Sequence, residues 1–137
     1  MIQKMNILGI DFGLKKIGLA LADMESKLAT PWGTIRVKEK TQGVIKKIKA
    51  LCEKEKVEKI VIGLPESGIV EKIKNFGDDL TRVTNLPVFY EDESLTSKEA
   101  LVKMIESGVK KKARQEKEDQ IAATLILQNY LDRHRAN

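Results

Sequence analysis

Residues 7–22, ILGIDFGLKKIGLALA, contain the pattern that decides the fold of this chain. Residues 7–11 (ILGID) form a short apolar run that ends in an acid before Phe12-Gly13, which predicts a buried strand. After the polar turn Leu14-Lys15-Lys16, residues 17–22 (IGLALA) predict a second strand. Because the connection is so short, we expect the two strands to pair as an antiparallel hairpin.

The remaining chain predicts a third strand and then an alternation of helices and strands. A strand is expected at 34–37, after a turn at Pro31-Trp32-Gly33. The next elements are helix 44–52, strand 59–63, helix 70–83, strand 87–91, a helix around 101–105 ending near Gly108, and a final helix covering 122–130. This order predicts one α/β domain, 1–137: a mixed five-stranded sheet with strands 1–3 antiparallel, strands 4 and 5 parallel to strand 1, and helices on both faces.

Length and composition exclude several classes of protein. The 137 residues suit one domain, which excludes the two-lobed actin-like ATPases and sugar kinases that share an Asp-x-Gly turn. The single cysteine, Cys52, excludes a disulfide framework and a Cys-based zinc site within the chain, and we expect it to be a buried, inert thiol. The single histidine, His134, makes histidine-based acid–base chemistry a poor fit. No signal peptide or membrane-spanning run is evident, so a cytoplasmic protein that does not enter the membrane is expected.

Acidic residues follow predicted strands at one edge of the sheet. Asp11 closes the first strand, Glu91-Asp92-Glu93 follows the last strand, and Asp119 opens the final helix. Ligand chemistry gathers at the carboxyl ends of parallel strands, so these acids can converge. Three carboxylates without histidine or cysteine suit Mg²⁺ or Mn²⁺. Two such ions about 3.5–4 Å apart can activate water and stabilise the leaving oxygen in phosphodiester hydrolysis.

Each acid also has a structural interpretation. Asp11 can be a turn residue that bonds to its own backbone, although the cost of burying an acid at the end of an apolar run favours a functional role. Glu93 can favour the dipole of a following helix that Ser94 or Thr96 caps, and Asp119 can do the same for the final helix. The residues alone leave these alternatives open.

Four blocks, in this order, resemble a known family: ILGIDFGLKKIGLALAD (7–23), VIGLP (61–65), EDESLTSKEA (91–100) and DQIAATLILQNYL (119–131). Together they resemble the YqgF family, also called RuvX, of the ribonuclease-H-like superfamily. The resemblance implies a ribonuclease-H-like fold and a metal-dependent nuclease that matures the 5′ end of the 16S rRNA precursor, related to Holliday-junction resolvases of the RuvC type. Carried over by motif, Asp11, Glu93 and Asp119 are the catalytic and metal-binding residues, with two Mg²⁺ or Mn²⁺ ions expected.

The chain departs from the family pattern at two places. Ser94 stands where the family has an Arg that can hold a phosphate with two hydrogen bonds. The segment Glu66-Ser67-Gly68 replaces a longer loop, and Glu66, which follows a strand, is kept as a reserve metal ligand. These departures leave a non-catalytic RNA-binding module as an alternative to the nuclease.

Basic residues flank the predicted catalytic acids. The runs are Lys15-Lys16, after Asp11, and Lys110-Lys111-Lys112-Ala113-Arg114, before the final helix. Both can contact phosphates, while the alternative is a solvated lysine-rich loop. The net charge of +5 fits a polyanion partner and an ordinary soluble surface about equally. The family resemblance implies structured RNA (pre-16S rRNA) or branched DNA as the partner, and we expect a monomer or homodimer.

Aromatic residues are sparse in this chain, at 4%. We expect Phe12 and Tyr90 to pack in the core, which leaves Trp32 as the exposed aromatic that can stack on a base. Recognition of backbone and shape is therefore expected, rather than readout of base sequence.

Overall fold

The computed structural model describes residues 5–38, 40–93 and 111–134. The elements within them are β1 (Asn6–Phe12), β2 (Lys16–Asp23), β3 (Ala29–Arg36), α1 (Thr41–Lys54), β4 (Val57–Leu64), α2 (Val70–Thr84), β5 (Val88–Asp92) and α3 (Lys111–Arg133). The helix expected around 101–105 lies outside the described residues.

The strands form one mixed sheet in the order β3-β2-β1-β4-β5. The β1–β2 and β2–β3 pairs are antiparallel, whereas β4 runs parallel to β1 and β5 parallel to β4. The expected α/β architecture is thus confirmed, including the opening hairpin. Because β1, β4 and β5 run in the same direction, their carboxyl ends meet at one edge of the sheet.

The side chains of β1 alternate between the two faces of the sheet, and each face carries its own layer of the core. Leu8, Ile10 and Phe12 face the layer that α1 and α2 cover, and the Phe12 ring lies 4.7 Å from the Phe76 ring, measured between centroids. Cys52 is buried in this layer, and burial raises the pKa of its thiol to about 12, which agrees with an inert role. Tyr90 packs, partly buried, against the same layer.

The opposite face of the sheet is covered by α3. Its residues Ala123, Ile126 and Leu127 are buried against residues from β1, β2 and β4, including Ile7 and Val61. Burial of apolar side chains on this face holds α3 across the sheet. None of the helices within the described ranges is both long and apolar enough to cross a membrane.

The expected turn at Pro31-Trp32-Gly33 is wrong, because these residues lie within β3. Leu19 pairs with Gly33 and Ala20 with Pro31, so Trp32 forms a bulge. β3 is an edge strand, where a proline and a bulge are tolerated. Trp32 is 44% exposed, as expected.

The expected start of the final helix is also wrong. The helix begins at Lys111, so Asp119 lies two turns inside it and is not a first-turn acid. Lys111, Lys112 and Arg114 are accordingly helical rather than part of a loop. The apolar pattern begins only near Ile121, but residues 111–120 are mostly Lys, Arg, Gln, Glu and Ala, which favour helix without an apolar stripe.

Candidate active site

Asp11 lies near the carboxyl end of β1 on the sheet face that α3 covers. It pairs directly with Gly18 of β2, and its side chain is partly buried. Residues directly opposite each other on paired strands share a face, so Asp11 and Gly18 both face α3. The sequence pattern at the end of an apolar strand therefore located this acid correctly.

Asp119 reaches the same place because Gly18 has no side chain. A Cβ atom at Gly18 would collide with the Asp119 carbonyl group, so the α3 backbone lies directly on β2 there. On the neighbouring strand, Gln120 Nε2 donates a hydrogen bond of 3.1 Å to Thr34 Oγ1. The Gly18–Asp119 contact and the Gln120–Thr34 hydrogen bond together hold this turn of α3 over Asp11 and the residues paired beside it.

Glu93 follows the carboxyl end of β5, and its side chain lies over a second glycine. A Cβ atom at Gly63 of β4 would stand 2.7 Å from Glu93 Oε1 and 2.9 Å from its Cγ atom, closer than real atoms approach. Gly63 thus provides the space through which Glu93 reaches across β4 towards β1.

The three carboxyl groups act on one another. Burial is the main cause that raises the pKa of Asp11 to about 8, followed by the charge of Glu93, a side-chain hydrogen bond with Glu93 and the charge of Asp119. A hydrogen bond between two carboxyl groups requires a proton on one of them. The structure therefore brings the three predicted catalytic acids near one another, and the surroundings of Asp11 favour the protonated form of its carboxyl near neutral pH.

A buried carboxylate that the sequence analysis did not single out lies two residues before Glu93. Glu91 is 2% exposed and accepts hydrogen bonds from Asn129 Nδ2 at 2.8 Å and from Arg133 Nη1 at 3.1 Å. A buried charge must be paired, so these contacts tie the last turns of α3 to β5. The Glu91 clamp (Glu91, Asn129 and Arg133) thus holds the last turns of α3 against β5. Further towards the start of the helix, the α3 backbone at Asp119 packs against Gly18 of β2.

Replacing Arg133 by Met is expected to destabilise the protein by about 1–3 kcal/mol, because Glu91 would stay buried and would lose one of its two partners among the described side chains. Urea unfolding measures this change. The matched control is Arg82→Met, which breaks an exposed ion pair with Asp79 (2.8 Å) and should cost no more than about 0.5 kcal/mol. Equal losses in both variants would contradict a stabilising clamp.

The other predicted site residues are placed as follows. Glu66 is exposed in the loop after β4, and the charges that act on Asp11 are those of Glu93 and Asp119. Lys15 and Lys16 are exposed just beyond Asp11. Lys111, Lys112 and Arg114 belong to the first turn of α3, whereas Lys110 and Ser94 lie outside the described residues.

The donor set suits a hard divalent cation. The three acids offer carboxylate oxygens, which Mg²⁺ and Mn²⁺ prefer, and a cation could replace the proton that the surroundings of Asp11 favour. Within the described part of the chain, no three acidic, histidine or cysteine side chains are arranged so that together they could hold one metal ion.

The chain is similar to known proteins over nearly its whole length. A model of the RuvX family, described as a Holliday junction resolvase, matches residues 5–133. Proteins named "Putative pre-16S rRNA nuclease" are 38% identical in Rickettsia canadensis, over 96% of this chain and 89% of the relative, and 41% identical in Agathobacter rectalis, over 93% and 95%. A protein of the same name in Caldanaerobacter subterraneus is 40% identical, over 93% and 96%.

Solved structures share the fold at low sequence identity. Thermus thermophilus RuvC in complex with a Holliday junction substrate superposes with a TM-score of 0.63 at 17% identity, covering 97% of each chain. The Fowlpox virus resolvase, also in complex with Holliday junction DNA, gives a TM-score of 0.61 at 14% identity, covering 94% of this chain and 98% of the other. At such identities, the likeness establishes a common ribonuclease-H-like fold.

Proposed function

The chain belongs to the RuvX family, and we propose that it is a metal-dependent endonuclease that hydrolyses phosphodiester bonds in structured RNA and processes the 5′ end of pre-16S rRNA. The observation that carries this proposal is the meeting of Asp11, Glu93 and Asp119 at one sheet edge, where the pKa of Asp11 is raised to about 8. Such a substrate implies a cytoplasmic location, which belongs to the same proposal.

Asp11, Glu93 and Asp119 would hold Mg²⁺ or Mn²⁺, in our proposal as two ions. When bound, the ions would supply an activated water and stabilise the charge on the leaving oxygen. The partial burial of Asp11 strengthens the electrostatic attraction of this site for cations, because the surroundings screen charge less than water does. Without a cation, the same burial favours the protonated form of the carboxyl.

The basic residues would hold the substrate against these acids. We propose Lys15 and Lys16 as contacts for the phosphate backbone, since they are exposed next to Asp11, and the run 110–114 as contacts from the start of α3. A carboxylate cluster repels a polyanion, so cations close to it are needed for a phosphate to approach. Contacts of this type carry no base sequence, which fits recognition of RNA structure.

Junction cleavage is the second candidate, because the matching family model is described as a Holliday junction resolvase. The names of the close relatives favour precursor rRNA. A four-way junction has two equivalent cutting sites, so symmetric resolution would require a homodimer, whereas maturation of an RNA end requires one site.

Purified protein is expected to cut an RNA spanning the 5′ end of pre-16S rRNA in the presence of Mn²⁺ or Mg²⁺ and to stop when EDTA is added. Cleavage is followed on denaturing gels beside a four-way DNA junction at the same concentration. Paired, symmetric cuts in the junction with the RNA left intact would contradict the rRNA proposal and support the resolvase. Tight RNA binding without cleavage of either substrate would support a non-catalytic module.

A further inference from the structure

Two cations face each other across β2 and β3 close to the proposed catalytic acids. Lys16 pairs directly with Arg36, two residues along the strands from the Gly18–Thr34 pair. Asp11, Gly18 and Thr34 lie side by side on neighbouring strands and form one row across the sheet. Because side chains alternate between faces, Lys16 and Arg36 form the next row on the same face. That row is about 6–7 Å away along the strand, within the reach of two long basic side chains.

Lys16 and Arg36 place two like charges at directly opposite positions of neighbouring strands. Like charges directly opposite each other on paired strands repel. Two more exposed lysines lie alongside, since the Val37 N–H donates a 2.9 Å hydrogen bond to the Lys15 carbonyl and Lys38 follows next in the chain. Among the side chains that the structure describes (residues 5–38, 40–93 and 119–134), no carboxylate forms an ion pair with any of these four side chains.

A like-charge pair for which the described side chains provide no compensating contact is typical of a functional site. The partner that would offset this repulsion carries repeated negative charge, and the row of acids next to it already implies a phosphodiester backbone. Lys16 and Arg36 can hold phosphates next to the one at Asp11, since consecutive phosphates of a strand are separated by a distance comparable with one row of the sheet.

We propose that Lys16 and Arg36, supported by Lys15 and Lys38, form a phosphate clamp that holds the substrate strand beside the cleavage site. The proposal rests on the proposed nuclease function and extends it by assigning β3, through Arg36, to substrate binding. The guanidinium of Arg36 can bind a phosphate with two parallel hydrogen bonds, which Lys cannot do, so Arg36 should be the stronger contact.

Binding is measured by fluorescence anisotropy with the labelled 5′ precursor RNA, in an Asp11→Asn background that binds without cutting. Arg36→Gln is expected to weaken binding about 3–10-fold near 0.1 M salt and to reduce the slope of log K against log salt concentration by about 1. Lys16→Gln should act in the same direction. The matched control, Lys47→Gln on the exposed side of α1, removes the same charge from the far face of the sheet and should leave the affinity and the slope unchanged.

A second readout separates the clamp from ordinary surface charge. Because Arg36→Gln removes a like-charge pair, its melting temperature at low salt should equal or exceed that of the parent. Lower stability, or equal binding losses in Arg36→Gln and Lys47→Gln, would overturn the clamp. If the parent binds RNA tightly and Arg36→Gln leaves the salt dependence of binding unchanged, the phosphate clamp alone is overturned. If the parent does not bind RNA, both the phosphate clamp and the RNA nuclease proposal are overturned.

Discussion

Asp11→Asn is expected to lower metal-dependent RNA cleavage by at least about 10³-fold, because the carboxylate that faces both Glu93 and Asp119 is lost from the proposed cation site. Single-turnover cleavage of the precursor RNA measures the loss. Glu53→Gln, which neutralises an exposed acid on α1, is the matched control and should cut at the parent rate. Equal rates in the two variants would refute the assignment of Asp11.

The same substitution should stabilise the metal-free protein at neutral and alkaline pH. The pKa of an ordinary aspartate is 3.8, and the fold raises the pKa of Asp11 to about 8. Between these two pH values, the folded protein therefore holds a proton on Asp11 that the unfolded chain releases. The stability that this proton provides is fully present below about pH 3.8 and is lost as the pH rises to about 8. Asn carries no charge and avoids this decline.

Asp11→Asn and the parent should therefore have similar stability at pH 4, while at pH 8 the variant should be more stable by about 1–3 kcal/mol. Urea unfolding in EDTA at the two pH values measures the difference. A variant that is less stable at pH 8 would support the alternative in which Asp11 is a structural turn residue.

Gly18→Ala is expected to destabilise the protein by about 2–4 kcal/mol and to reduce cleavage sharply. The new Cβ atom would meet the Asp119 carbonyl group, a part of the α3 backbone that cannot rotate away as a side chain can. α3 must then lift from β2, which moves Asp119 away from Asp11. Denaturant unfolding and cleavage rates measure the two effects.

Gly43→Ala is the matched control for this substitution. Gly43 lies in α1 with open space around its Cα, so alanine should leave cleavage unchanged and raise stability by about 0.5–1 kcal/mol through helix propensity. Parent-like stability and activity in Gly18→Ala would show that α3 does not rest on β2 at this position.

Most of the sheet could be predicted from the sequence because apolar runs and their polar ends are local signals. ILGID, IGLALA and KIVIG each correspond to the centre of an observed strand. Asp11 was found from its position at the end of such a run. Glu93 and Asp119 have a common structural alternative as helix N-terminal acids, so their assignment from the sequence depended mainly on the family resemblance.

The errors arose where tertiary context overrides a local signal. The residues Pro31-Trp32-Gly33 are typical of a turn, but in the structure they belong to β3. Because β3 is an edge strand, it tolerates a proline and a bulge. The start of α3 carries no apolar pattern, because residues 111–120 are mostly Lys, Arg, Gln and Glu, which favour a helix through propensity alone. Its true start changes Asp119 from an end residue to an interior one.

The residues that position the site, Gly18, Gly63 and Glu91, were not identified from the sequence for a related reason. Gly18 and Gly63 interrupt apolar strands, which is a readable sign that another part of the chain approaches closely. The sequence does not say that Asp119 meets one and Glu93 meets the other, because that depends on how α3 and β5 lie in the fold. Glu91 likewise reads as one acid in an acidic run, and only its burial against Asn129 and Arg133 reveals its role.

The most direct test is the anomalous scattering of manganese in crystals grown or soaked under conditions in which the dissolved protein cuts RNA. We expect manganese within coordination distance of carboxylate oxygens of Asp11, Glu93 and Asp119, with the peak lost in Asp11→Asn crystals. Manganese bound only elsewhere, or none at these three acids while the protein cuts RNA under the same conditions, would contradict a metal-dependent nuclease site at this edge of the sheet.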